Sequence, residues 1–151
     1  MTAVPFGKET KLLLIGYGNT LRSDDAVGPL VAQEVEALHL PGMNVLTCHV
    51  LTPELAAPIS QARKVVFVDA TVDNSREVHF RALTPADSSH VMAHTADPRT
   101  LLALARDVFG HAPEAWWLTI SVENLEVGEE ISAHARRGIA QAVQEIQKLQ
   151  H

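Results

Sequence analysis

Acidic side chains follow two apolar segments of this 151-residue chain. Asp24 and Asp25 come soon after residues 12–15, and Asp69 comes directly after residues 65–68. Short apolar runs of this kind are typical of strands buried on both faces of a parallel sheet. In open α/β sheets, the loops at the carboxyl ends of neighbouring strands converge, and ligands bind there. The sequence therefore predicts that Asp24 or Asp25 lies on one rim with Asp69.

Histidines later in the chain provide a candidate nitrogen ligand for this rim. His90 and His94 precede the helix predicted from Asp97. Two carboxylates and one imidazole would suit a divalent transition metal and would leave coordination positions for a substrate. Taken alone, His94 is more simply a surface residue without a metal, and we interpret the following histidines as surface or helix-flanking residues: His79, His90, His111, His134 and His151.

The three aspartates also have structural explanations. Asp24 or Asp25 lies where a side chain can cap free N–H groups at the start of a helix and complement its dipole. One of the two can cap while the other points at the rim. A carboxylate that directly follows four buried residues, as Asp69 does, must be hydrogen-bonded, paired or functional. A hydrogen bond to the loop backbone is its plainest structural explanation.

A glycine-containing loop follows the first predicted strand. Gly16 and Gly18 permit a tight turn and a close approach of backbone to a partner, and Asn19 can hydrogen-bond the loop backbone. The loop lacks the third glycine of a dinucleotide fingerprint, and the chain has no phosphate loop and no Gly-x-Ser-x-Gly elbow. These absences argue against nucleotide binding and against a Ser-His-Asp hydrolase. The single cysteine, Cys48, is interpreted as a small core residue.

Strand-like and helix-like segments alternate along the chain. Strands are predicted near residues 12–15, 44–50, 65–68, 78–83 and 116–122, and helical periodicity covers residues 27–38, 53–61, 97–109 and 131–146. Thr52 is the predicted N-cap of the second helix, with proline next. The alternation predicts an α/β fold with helices on both faces of a mostly parallel sheet. Residues 65–68 are expected at its centre and residues 78–83 at an edge.

Composition limits the class of protein. The net charge of -6 argues against a nucleic-acid partner, because phosphate binding needs a concentrated excess of Lys and Arg. One cysteine cannot form an internal disulfide, which fits a reducing compartment. No apolar segment is long enough for a signal peptide core or a membrane span. We therefore expect one domain over residues 1–151, a cytoplasmic location, and a protein or small-molecule partner.

Three segments resemble a known family. Residues 13–19 and 22–29 read LLIGYGN and RSDDAVGP, which closely resembles the opening signature of the hydrogenase maturation proteases. Residues 66–70, VFVDA, resemble the second acidic motif of that family. Residues 51–56, LTPELA, resemble the version in members that process bidirectional, NAD-linked hydrogenases. The resemblance implies a three-layer sandwich with a twisted, mostly parallel five-stranded sheet between helices.

The resemblance also implies a site. Carried over by position, the metal ligands of the family, which are its catalytic residues, fall on Asp25, Asp69 and His94, with His90 as the alternative third ligand. Gly16, Gly18, Asn19 and Thr52 are the corresponding candidates for substrate binding. Asp25 is one methylene shorter than the glutamate found at this position in other members, which shortens its reach.

The implied activity is that of an endopeptidase. It removes the C-terminal extension of a [NiFe]-hydrogenase large-subunit precursor after nickel insertion. The nickel is supplied by the substrate, and other divalent cations can occupy the same ligands. The implied protein is an aspartic-type endopeptidase and enzyme activator that works as a monomer on the precursor.

Two other functions compete with this one. A nickel-dependent chaperone would hold the precursor through the same ligands without cutting it. A peptidyl-tRNA hydrolase also has Gly-x-Gly-Asn after its first strand, but it needs a basic groove and a histidine shortly after that loop. Here the corresponding residues are Ser23, Asp24 and Asp25, which makes this alternative poor.

Overall fold

The computed structural model describes residues 11–73, 75–87 and 97–149. These residues form a five-stranded sheet in the order β2-β1-β3-β5-β4. The strands are β1 Leu12–Tyr17, β2 Met43–Cys48, β3 Lys64–Thr71, β4 Val78–Leu83 and β5 Glu114–Ser121. Neighbouring strands are parallel except β4, which pairs antiparallel with β5 at the edge. The predicted α/β class, the central position of residues 65–68 and the edge position of residues 78–83 are confirmed.

Helices cover both faces of the sheet. They are α1 Val27–Ala37, α2 Ala56–Ser60, α3 Pro98–Phe109 and α4 Ala133–Lys148, and short 3₁₀ turns, Ser23–Ala26 and Pro53–Leu55, precede α1 and α2. One core packs under α1 and α4, and a second core packs under α2 and α3. The three-layer arrangement follows from this division. Within the described ranges, no helix is long and apolar enough to cross a membrane.

The central strand shows why the sheet has two cores. Successive side chains of a strand point to opposite faces. Val66 and Val68 therefore pack in the core under α1 and α4, whereas Val65 and Phe67 pack in the core under α2 and α3. All four are fully buried. Burying each such side chain contributes about 1.5 to 3 kcal/mol, so this run anchors the sheet centre.

The ends of α3 match the sequence signals, and the start of α2 does not. Asp97 and Thr100 form a reciprocal capping box at α3, and Gly110 ends the helix in the left-handed region with φ 82°. Thr52 occupies the N-cap position before the second helical segment, but its hydroxyl donates to Glu54 Oε1 at 2.9 Å and caps no N–H group there. The first turn is therefore 3₁₀, and α2 is shorter than predicted.

Glycines allow α1 to lie directly against the sheet. A Cβ on Gly28 would overlap the carbonyl oxygens of Tyr17 in β1 and Val68 in β3. A Cβ on Gly16 would likewise overlap the carbonyl of Gly28. This close contact brings the 3₁₀ turn before α1, and with it Asp25, beside the carboxyl ends of β1 and β3.

Candidate functional site

A row of polar residues crosses the sheet near the carboxyl ends of its parallel strands. Tyr17 pairs with Cys48, Asp69 pairs with Thr119, and Thr119 pairs with His79. Paired residues share a face, and alternation places Asp69 on the same face as Phe67, under α2 and α3. Asp69 is predicted from the sequence, whereas Tyr17 and Thr119 are not. Tyr17 and Thr119 join the site because of the pairing between strands, and the pattern of apolar residues along the chain does not reveal that pairing.

Asp69 is partly buried, and few hydrogen-bond donors balance its charge. Its pKa is raised to about 6: burial is the largest cause, hydrogen bonds from the Ala70 N–H and the Tyr17 hydroxyl oppose the increase, and the charge of Asp25 adds a smaller increase. The Ala70 N–H donates to Oδ1 at 2.8 Å. Asp69 therefore changes protonation near neutral pH, which is a property of groups that bind metals or transfer protons.

The Tyr17 hydroxyl is a fixed donor to this carboxylate. Burial, followed by the charge and hydrogen bond of Asp69, raises the pKa of Tyr17 far above its ordinary value. The phenol therefore stays protonated and orients Asp69. The indole Nε1 of Trp117 is buried and has no hydrogen-bond partner of good geometry among the described residues. It nevertheless lies near enough to lower the pKa of Tyr17, whereas the nearby charge of Asp97 raises it.

Asp25 faces this carboxylate from the turn before α1. Its Oδ2 accepts a hydrogen bond from the Asn19 N–H at 2.8 Å. Its charge contributes to the raised pKa of Asp69, so the two carboxylates interact across the rim. Asp25 therefore lies near enough to Asp69 for its charge to raise the pKa of Asp69, and the assignment of both as ligands stays a prediction.

Asp24, the other loop aspartate, is fully buried in a structural role. Its carboxylate accepts hydrogen bonds from the N–H groups of Glu123, Asn124 and Ser132 at 2.8 to 3.0 Å and from the Ser132 hydroxyl at 2.7 Å. Burial alone would raise the pKa of Asp24, but these hydrogen bonds lower it. In this part of the structure neither aspartate caps the helix, so the capping explanation was wrong.

The glycine loop has structural reasons for its composition. Gly18, with φ 150°, faces the carbonyl of Asp25, and its N–H donates to the Cys48 carbonyl at 3.2 Å. The Asn19 side chain accepts from the Leu21 N–H at 2.9 Å, as predicted for loop backbone. Burial raises the pKa of the Cys48 thiol, which fits a packing role. Substrate contact by Gly16, Gly18, Asn19 and Thr52 stays a prediction.

A cavity of about 390 Å³ opens beside Asp69. It is lined by Asp69, Ala70, Thr71, Asp73, His79, Arg81, Trp117 and Thr119. His79, predicted as a surface residue, is half-buried in this cavity. Larger cavities lie elsewhere, one of about 510 Å³ lined by Lys11, Arg63 and Lys64 and another of about 540 Å³ beside β2. Neither of them is lined by two carboxylates, so volume does not locate the site.

His94, the predicted third ligand, lies outside the described residues, and so does its alternative, His90. Over residues 11–73, 75–87 and 97–149, no group of three His, Cys, Asp or Glu side chains is placed to hold a metal. What these ranges contain is a pair of interacting carboxylates, Asp25 and Asp69. Assignment of His94 stays a prediction.

Solved structures with the same fold include hydrogenase maturation proteases. A [NiFe] hydrogenase maturation protease HycI from Thermococcus kodakarensis KOD1 is 23% identical, with TM-score 0.72 over 92% of this chain and 91% of that one. A hydrogenase 2 maturation peptidase from Thaumarchaeota archaeon SCGC_AB-539-E09 is 20% identical, with TM-score 0.70 over 93% and 97%. An uncharacterized protein from Wolinella succinogenes is 27% identical, with TM-score 0.66 over 93% and 96%.

No protein-family model and no curated protein matches the sequence. The structural matches cover nearly the whole chain in both directions. The chain therefore has the fold of the solved hydrogenase maturation proteases. The resemblance noted in the opening motif is confirmed at the level of the fold.

Proposed function

We propose that this protein is an endopeptidase of the hydrogenase maturation type. It removes the C-terminal extension of a [NiFe]-hydrogenase large-subunit precursor once nickel has been inserted. The observation that carries the proposal is the position of Asp69 near the end of β3, where the charge of Asp25 contributes to its raised pKa. This pair lies within a fold shared with proteins that are named for this activity.

The donor set suits a divalent cation that arrives with the substrate. Two carboxylates that repel each other gain from a cation between them, and oxygen with imidazole nitrogen is a ligand set that nickel accepts. His94 is the proposed third ligand, and His90 is the alternative. His94 precedes Asp97 by three residues in the sequence. Asp97 itself lies close enough to raise the pKa of the Tyr17 hydroxyl.

The residues of this chain would then divide the work. Asp25, Asp69 and His94 complete the coordination of the precursor's nickel, so that recognition of a loaded precursor and positioning of its tail are one event. When bound, nickel supplies Lewis acidity toward the scissile carbonyl or toward a water. Tyr17 holds Asp69 in place. A carboxylate of the pair accepts the proton released during hydrolysis.

The remaining contacts complete the proposal. The backbone of Gly16, Gly18 and Asn19 receives the extended tail, with Thr52 at the same cleft. The resemblance of residues 51–56 favours a bidirectional, NAD-linked hydrogenase as the partner. A monomer in the cytoplasm, where the precursor is assembled, satisfies these requirements.

A nickel-dependent chaperone is the alternative. It would use the same ligands to hold the precursor, and it differs only in leaving the peptide bond intact. A peptidyl-tRNA hydrolase is disfavoured because the rim at this position presents Asp25 beside Asp69, which would repel a phosphate backbone.

Mass spectrometry of the precursor separates these functions. The purified protein is incubated with nickel-loaded and with nickel-free precursor, and loss of the tail mass is expected for the loaded form alone. Asp25→Ala, Asp69→Ala and His94→Ala should each lower the cleavage rate about a thousand-fold or more, since a lost ligand removes several kcal/mol of transition-state stabilisation.

The matched control is Asp107→Asn, an exposed carboxylate near the far end of α3. It should cleave at the rate of the unchanged protein. If the protein binds the nickel-loaded precursor but the precursor loses no mass, the chaperone function is supported and the peptidase function is excluded. Retained cleavage by Asp69→Ala would be the most damaging result for the peptidase.

A further inference from the structure

Arg81 lies at the cavity beside Asp69 and is held by an aromatic ring. It pairs across the sheet with Trp117, and its guanidinium carbon lies 5.0 Å from the centre of the Trp117 ring. Stacking of a planar guanidinium on an indole restricts its orientation and leaves its N–H groups available at the edge of the plane. Arg81 is therefore an exposed donor whose guanidinium lies over the Trp117 ring at the cavity wall.

Arg81 has no carboxylate partner in the described part of the chain. Two other arginines there form ion pairs, Arg137 with Glu77 at 3.0 Å and Arg106 with Asp107 at 2.8 Å. Residues 88–96 contain no Asp or Glu, so that segment has no acidic side chain to offer.

The charges around the cavity limit what it can bind. His79 has an acidic neighbour, since its Nε2 lies 3.8 Å from Asp73 Oδ2, and Asp69 lines the same cavity. A dianionic phosphate would be repelled by these two carboxylates, whereas a singly charged carboxylate meets less repulsion and matches the fork of a guanidinium. The hydroxyls of Thr71 and Thr119 provide further donors on the lining.

We propose that this cavity is a specificity pocket for a carboxylate of the protein substrate, which Arg81 binds through paired hydrogen bonds. The proposal rests on the proposed function and adds the chemistry of one substrate group. The pocket shares Asp69 with the candidate catalytic centre, so the recognised group lies close in sequence to the bond that is cut. That group is an Asp or Glu side chain or the free C-terminal carboxylate of a short tail.

The first test separates binding from chemistry. Arg81→Gln should raise KM for the nickel-loaded precursor about 10- to 100-fold, the value of a hydrogen-bonded charge pair, and should leave kcat within about two-fold. Arg81→Lys keeps the positive charge but loses the paired N–H donors of the guanidinium. Its KM should therefore lie between the KM of the unchanged protein and that of Arg81→Gln. Arg76→Gln is the matched control, because Arg76 is exposed on the same edge of the protein but lines a different cavity beside α4. Its KM should not change.

The second test identifies the carboxylate. Each Asp or Glu near the cleavage site of the precursor is changed to its amide, and a further precursor is prepared with an amidated C-terminus. One of these changes should raise KM with the unchanged protein and have no further effect with Arg81→Gln, because both changes remove the same contact. The identity of that change distinguishes a side chain from the terminal carboxylate.

The outcomes keep the two proposals apart. Normal cleavage with the same KM for Arg81→Gln and Arg76→Gln would overturn the pocket and leave the peptidase intact. Arg81-dependent binding of the precursor without loss of mass would overturn the peptidase and leave the pocket intact. Thermal melts of both Arg81 variants verify the fold, and a KM for Arg81→Lys above that of Arg81→Gln would also overturn the pocket.

Discussion

A buried carboxylate, Asp24, and a partly buried one, Asp69, have opposite environments. Asp24 accepts four hydrogen bonds from the segment between β5 and α4, and its pKa is lowered. Asp69 accepts from Ala70 and Tyr17 and faces a second carboxylate, and its pKa is raised to about 6. The first region is saturated with donors, and the second is not.

The difference separates structure from chemistry. A carboxylate whose lone pairs are all occupied by protein donors has nothing left for a ligand, and its removal leaves buried donors unpaired. A carboxylate that is buried with few donors beside a like charge is held at a cost in stability, which a cation or a proton relieves. Asp24 is thus a structural anchor and Asp69 a functional candidate, although both come after an apolar strand segment in the sequence.

The largest stability effect is expected at Asp24. Asp24→Ala should lower the free energy of unfolding by about 3 to 5 kcal/mol, because it leaves several buried donors without an acceptor. Denaturant titration measures this change. The adjacent substitution, Asp25→Ala, removes one acceptor for the Asn19 N–H and should cost about 1 kcal/mol. Equal losses for the two variants would contradict the contrast between the anchor and the rim.

Asp69→Asn is expected to stabilise the metal-free protein. Because the folded pKa of about 6 exceeds the ordinary 3.8, the folded state binds more protons than the unfolded state between these values, and stability falls as pH rises through them. At about pH 8 Asp69 is ionised in both states, so the full cost of holding its charge in the folded protein is present. The variant should then be more stable than the unchanged protein by about 1 to 3 kcal/mol. Below about pH 4 the advantage should vanish.

Thermal melts across this pH range, with a chelator present, test the pH dependence. Asp73→Asn is the control, because hydrogen bonds from Ser75 lower the pKa of that exposed carboxyl. It should show no gain at high pH. An Asp69→Asn variant that is less stable than the unchanged protein at about pH 8 would mean that Asp69, like Asp24, is a saturated anchor.

A smaller effect is expected at Ser132, which links the anchor to a helix. Its hydroxyl donates to Asp24 Oδ2 and accepts from the Ala135 N–H at 3.0 Å, at the start of α4. Ser132→Ala should therefore cost about 2 kcal/mol, and Ser132→Thr should recover most of it. Denaturant titration against Ser60→Ala, which removes one hydroxyl contact with the Ala57 carbonyl, provides the comparison. A loss no larger than that of Ser60→Ala would weaken the role of the Asp24 cluster.

The fold was largely predictable because its signals are local. The apolar run at residues 65–68 needs both faces buried, which places it at the sheet centre. The cap at Asp97 and the glycine at 110 bound α3 with side-chain and backbone geometry that a few residues determine. The start of α2 was less predictable, because the Thr52 hydroxyl donates a hydrogen bond to Glu54 Oε1 and does not cap the helix.

The site was predictable only in part. Asp69 stood out because a carboxylate after a buried strand needs an explanation, but Asp24 and Asp25 are equivalent in sequence. Arg81 and Tyr17 gave no signal of their own, because their importance depends on which strand lies beside which.

The order of apolar and polar residues along the chain determined the number of strands and helices, their two-faced packing and the end of the sheet at which acidic loops meet. The tertiary structure alone decided which loop aspartate is saturated by donors from residues 123–132 and which phenol orients Asp69. It also decided that Arg81, which has no carboxylate partner among the described residues, lines the cavity beside Asp69. The physical reason is the separation along the chain of the groups that interact. Burial and capping act over a few neighbouring residues, whereas hydrogen-bond saturation and charge coupling join groups about 100 residues apart, as Asp24 and Asn124 are.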